Sequence, residues 1–79
     1  MKVLKAFTGG WESPVFGPFT TTVRETLSII KSGDLYFVIR ETEAFLGGST
    51  IQTEEFENEG DAFDKYDEWF NDLKRLMNI

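Results

Sequence analysis

The chain has 79 residues, twelve of them aromatic, and a net charge of −6. It contains neither cysteine nor histidine. Disulfides, thiolate metal sites and cysteine nucleophiles are therefore excluded, and so are the commonest general base and the commonest metal ligand. A chain this short makes one domain, residues 1–79, resting on apolar burial alone. The opening "MKVLKAF" lacks the apolar run of a signal peptide, and no window approaches a membrane span. A cytoplasmic location without a membrane partner is the default expectation.

The charge is unevenly spread. Residues 1–40 carry +2 and residues 41–79 carry −8. Such an acidic half repels phosphates, so free nucleic acid is not an expected partner. A protein with a basic surface is its natural complement.

In chain order, "KVLKAFT" (Lys2 to Thr8) reads as a short first strand. "GGWESPVFGPF" (Gly9 to Phe19) has the glycine and proline content of a loop, yet it carries Trp11, Val15, Phe16 and Phe19. Two readings compete for it. It is a lid folded onto a core that needs every large side chain, or a recognition loop in which Trp11 and Phe16 are partner-facing anchors.

Residues 20–45 also admit two readings. Thr22-Val23-Arg24-Glu25 fits a capping box and Gly33 a helix C-cap, which would give a helix over roughly residues 23–32. The β-branched Val23, Thr26, Ile29 and Ile30 argue for strands instead. A hairpin turning at Ser32-Gly33 opposes Glu25 to Arg40, Arg24 to Glu41, Lys31 to Asp34, and Ile30 to Leu35. Pairs of this kind contribute roughly 0.2–1 kcal/mol each, so the hairpin is preferred. It sends Ile30, Leu35, Phe37 and Ile39 to one face, and Val23, Leu27, Ile29, Tyr36 and Val38 to the other.

Gly47-Gly48 marks the next turn, leading into "STIQTEEFE". A two-residue loop sets Glu41 against Glu54, Ile39 against Phe56 and Arg40 against Glu55, with a longer or bulged connection as the alternative. The last element is a helix capped by Asp61, with an apolar stripe of Ala62, Phe63, Tyr66, Trp69, Phe70, Leu73, Leu76 and Met77. The expected architecture is α+β: a four-stranded antiparallel meander with one C-terminal amphipathic helix packed on one face (ββββα). One helix covers one face. The other must be met by the aromatic loop, a second copy or another protein.

Between Glu54 and Asp72 lie nine acidic side chains and only Lys65 to oppose them. Asp64, Glu68 and Asp72 fall at i, i+4 and i+8, where like charges mildly destabilise a helix. A solvated face that keeps the protein soluble is the plainer explanation. The functional one is a negative ridge that docks on a Lys/Arg-rich surface, one that elsewhere holds nucleic acid. The candidate partner-binding residues are then Glu54, Glu55, Glu57, Asp64, Asp67, Glu68 and Asp72, with Trp11 and Phe16.

No catalytic or cofactor site is expected. "ENEGD" fails the ligand spacing of an EF-hand, the serines lack a histidine, and neither glycine pair leads into the Lys-Ser/Thr of a phosphate loop. The opening "MKVLKAF" strand, the meander with turns at Ser32-Gly33 and Gly47-Gly48, and the acidic "FENEGDAF" passage into "EWF" resemble small phage-encoded inhibitors, the anti-CRISPR proteins among them. The resemblance implies a non-enzymatic inhibitor that binds a host nucleoprotein complex. The alternative is a structural subunit, such as a homodimer, that pairs through its second apolar sheet face.

Overall fold

The computed structural model describes residues 1–45 and 47–77. Four strands form one antiparallel sheet in the order β1-β2-β3-β4: β1 Lys2–Phe16, β2 Phe19–Ser32, β3 Leu35–Ala44 and β4 Gly48–Phe56. Helix α1, Glu59–Met77, closes the ββββα order.

The Gly9–Phe19 segment is not a loop. β1 continues through it to Phe16, and the chain reverses at Gly17-Pro18. Gly17 takes φ +56°, which a tight hairpin turn requires at its first central position. Gly9, Gly10 and Pro14 look like strand breakers, but β1 is an edge strand, where a missing N–H or side chain is tolerated. The β-branched run Thr20–Val23 supplies the partner strand.

The β2–β3 hairpin forms, two residues out of the expected register. Its turn is Gly33-Asp34, with Ser32 opposite Leu35 and Lys31 opposite Tyr36. Gly33 at φ +63° decides the matter, since a positive φ is needed at the first central position of such turns. Ile30 now opposes Phe37, Thr26 opposes Glu41 and Arg24 opposes Glu43. A slip of two residues keeps every side chain on its face, so the expected division of faces holds.

The β3–β4 connection is the longer one, residues 45–47, with the Gly47 N–H donating to the Ala44 carbonyl at 3.1 Å. Glu54 therefore opposes Val38 and Phe56 opposes Tyr36, while Glu41 meets Ile51 rather than Glu54. The like-charge pair of the shorter loop does not form. Its other two pairings, Ile39 with Phe56 and Arg40 with Glu55, are lost too, because Ile39 opposes Thr53 and Arg40 opposes Gln52.

The core lies between α1 and one face of the sheet. Leu27, Ile29 and Val38 meet Ala62, Tyr66, Trp69 and Leu73, all buried. Burying one such aliphatic side chain is worth about 1.5–3 kcal/mol. Phe7 of β1 packs on Phe70 with ring centroids 4.9 Å apart, which ties the edge strand to the helix. Burial raises the Tyr66 phenol above its usual pKa, with the Asp67 charge adding to the effect.

The helix starts earlier than Asp61. Asn58 Oδ1 accepts from the Gly60 N–H at 2.7 Å and the Asp61 N–H at 3.3 Å, so Asn58 is the cap and Asp61 sits in the first turn. The stripe is also narrower than expected, since Leu76 is half exposed.

Candidate protein-binding site

On α1 the carboxylates at 64, 68 and 72 advance by one turn plus about 40° each, so they follow one flank of the helix. Lys65, between this flank and the buried stripe, reaches to Glu54 of β4 at 3.1 Å. Lys65 also contacts Glu68 at 3.2 Å and lies 5.2 Å from the centre of the Trp69 ring. Hydrogen bonds to Glu54 and then Glu68 hold the lysine above its usual pKa of 10.5. The ammonium inside the acidic run is thus committed to two carboxylates and stays charged. Arg75 pairs with Asp72 from one turn further on. These two i,i+3 pairs offset part of the repulsion along the ridge. Asp64 has no cation within ion-pair reach among the described residues.

The structure joins Glu54 to Glu68 through Lys65 and keeps Asp64 and Asp72 on the same side of α1 as Glu68, while the other candidates lie apart. Glu55 opposes Phe37 and points to the far side of the sheet, since neighbouring strand residues alternate faces. Glu57 follows the end of β4 and is exposed. Asp67 lies about 60° round the helix from Asp64 on the side away from Glu68 and Asp72, about 140° from Asp72. Trp11 packs against the core from within β1, so it serves the fold from a strand rather than a lid. Phe16 is 77% exposed, five residues and about 17 Å further along the same strand.

Two features were not anticipated from the sequence. Glu25, 1% exposed, lies beneath the helix and pairs with Arg40, while the Thr42 hydroxyl donates to it at 3.1 Å. Its Oε2 has no hydrogen-bond partner among the described residues. The expected hairpin register counts Glu25–Arg40 as one of three opposite-charge cross-strand pairs. Only the position of Glu25 between Val23 and Leu27, on the apolar face of β2, signals burial. The second feature is apolar exposure at a second turn, where Phe45 of the β3–β4 connection stands open as Phe16 and Phe19 do at the β1–β2 turn.

Open clefts of about 480, 580 and 400 Å3 lie at the surface. The largest lies between Glu68 and Arg75 on α1 and is lined by charged side chains. Among the described residues, no group of three or more carboxylates is spaced to hold a metal ion, and no helix is long and apolar enough to cross a membrane. No family model, curated protein or solved structure matches the chain.

Proposed function

We propose that this protein is a non-enzymatic binding module whose acidic flank, Glu54 with Asp64, Glu68 and Asp72, docks on a basic surface of a partner protein. The observation that carries the reading is the charge balance of the flank. Its four carboxylates meet two cations, Lys65 on Glu54 and Glu68 and Arg75 on Asp72, so a net charge of −2 remains there and Asp64 stands outside these pairs. Rigid, closely spaced carboxylates imitate a run of phosphates, and basic grooves that hold nucleic acid are their complement. The resemblance to phage-encoded inhibitors gives the partner class: a nucleoprotein complex whose basic channel the flank would occupy. Asp67, Glu55 and Glu57 add to the long-range field without touching the partner.

Affinity capture from a bacterial lysate, eluted with duplex DNA, tests this. The reading expects a basic nucleic-acid-binding protein that DNA displaces and that Asp64→Lys/Glu68→Lys/Asp72→Lys fails to retain. Retention of the same partner by that variant would overturn the reading.

A further inference from the structure

The two edges of the sheet differ. β1 is irregular: it contains Pro14, and its register with β2 shifts at Leu4 and again at Val15. It also runs past the end of β3 into a two-stranded arm, residues 12–22. Proline and bulge-like shifts discourage another chain from pairing with an edge. β4 has neither. It is free of proline and pairs with β3 without a break through nine residue pairs, from Ala44–Gly48 to Tyr36–Phe56. Among the described residues no element pairs with its outer side, and Gly48 to Glu55 are all exposed. In an antiparallel pair every second residue turns its N–H and C=O away from the neighbouring strand. β4 therefore offers solvent a regular row of unpaired backbone donors and acceptors. Only another extended segment can satisfy such a row along its length.

The charges around this edge select the segment. Glu54 and Glu55 are the charged side chains of β4. Lys65 bridges Glu54 to Glu68, so these two carboxylates stand close together. Asp72 lies within about 20° of Lys65 round the helix, so it too is on the side of α1 that overlooks β4. From Gly48 to Met77 nine acidic side chains meet three basic ones, a balance of −6. Pairing β4 with the β4 of a second copy would bring −6 against −6 along the joined edges. Like charge disfavours that arrangement, whereas a basic segment is drawn to the edge.

We infer that β4 takes an extended basic segment of a partner protein as a fifth strand of the sheet. Such a strand sends alternate side chains to the helix face, beside Thr50, Gln52 and Glu54. The others go to the far face, the side away from α1, beside Ser49, Ile51 and Thr53. Lysine or arginine belongs at the helix-face positions, where Glu54 pairs across the strands and Glu68 is next in reach. Uncharged β-formers belong at the far-face positions. The inference rests on the docking proposal for the charge of the partner, and it adds the backbone pairing that would hold that partner in place.

Two peptides separate the inference from that proposal. One alternates lysine with threonine and valine. The other has the same sequence with every backbone amide N-methylated, which keeps the charge and removes the hydrogen-bond donors. Amide exchange of the isotopically labelled protein is followed by NMR with each. Saturation with the first peptide should slow every second amide of β4 by roughly tenfold or more. The methylated peptide should bind at least roughly tenfold more weakly. Equal binding of the two, with shifts at Glu68 and Asp72 and no slowing in β4, would overturn the fifth strand and leave the docking proposal standing. Binding of neither would overturn both. Slow exchange of those amides in the free protein, deepening with its concentration, would mean that a second copy holds the edge and would overturn the inference.

Discussion

Replacing Arg40 by methionine should bring this protein close to unfolding. Glu25 is 1% exposed and its counter-charge side chain 16% exposed, so solvent screens little of the interaction. With the guanidinium gone, one Thr42 hydroxyl at 3.1 Å would remain to the carboxylate, whose Oε2 already lacks a partner among the described residues. Breaking a buried pair by removing one member costs about 3–5 kcal/mol. A domain of this length is stable by only about 4–12 kcal/mol in total. The loss corresponds to roughly 12–40 °C in Tm at about 4–8 °C per kcal/mol. Removing both charges together, as Glu25→Leu/Arg40→Met, should recover most of the loss, because no unpaired charge is left under the helix. Urea denaturation followed by tryptophan fluorescence measures both variants. A cost below about 1 kcal/mol for Arg40→Met, the range of surface pairs, would refute the reasoning that the pair is buried and mutually dependent.

Two further predictions concern local features. Asn58→Ala should cost about 1 kcal/mol as the loss of a helix cap, whereas Asp61→Ala should stay within about 0.5 kcal/mol; equal losses in thermal melts would place the cap elsewhere. The hydroxyls of Thr20 and then Thr22 hold the Glu12 carboxyl below its usual pKa of 4.5. Its hold on the arm is therefore present at neutral pH and is lost as pH falls through the usual glutamate range and below. Amide exchange in residues 13–22 should speed up over that acid window relative to the rest of β1, and Glu12→Gln should remove the difference.

The helix and the sorting of faces were legible because both rest on period. Ala62, Tyr66, Trp69 and Leu73 recur at three and four, and Leu27, Ile29 and Val38 keep their face even when the hairpin slips by two. The position of the turn was less legible, since Ser32-Gly33 and Gly33-Asp34 both read as hairpin turns until φ at Gly33 is known. The arm was hidden for a related reason: Gly9, Gly10 and Pro14 signal a loop, and only their place on a sheet edge makes them compatible with a strand. The composition of the acidic flank could be read from helical spacing. Its connection to β4 could not, because Glu54 and Glu55 exchange faces with each single-residue change in the length of the preceding loop. Burial of Glu25 ran against residue type, and the apolar neighbours at 23 and 27 were its one trace.

Titration of the isotopically labelled protein with a lysine-rich peptide, followed by amide chemical shifts at low and high salt, tests the central claim most directly. Docking through the acidic flank predicts that perturbations cluster at Glu54, Asp64, Glu68 and Asp72 at about 0.15 M salt. They should fade toward about 1 M, where the screening length falls to about 3 Å. Perturbations centred on the arm or the far face, or unchanged at high salt, would contradict it.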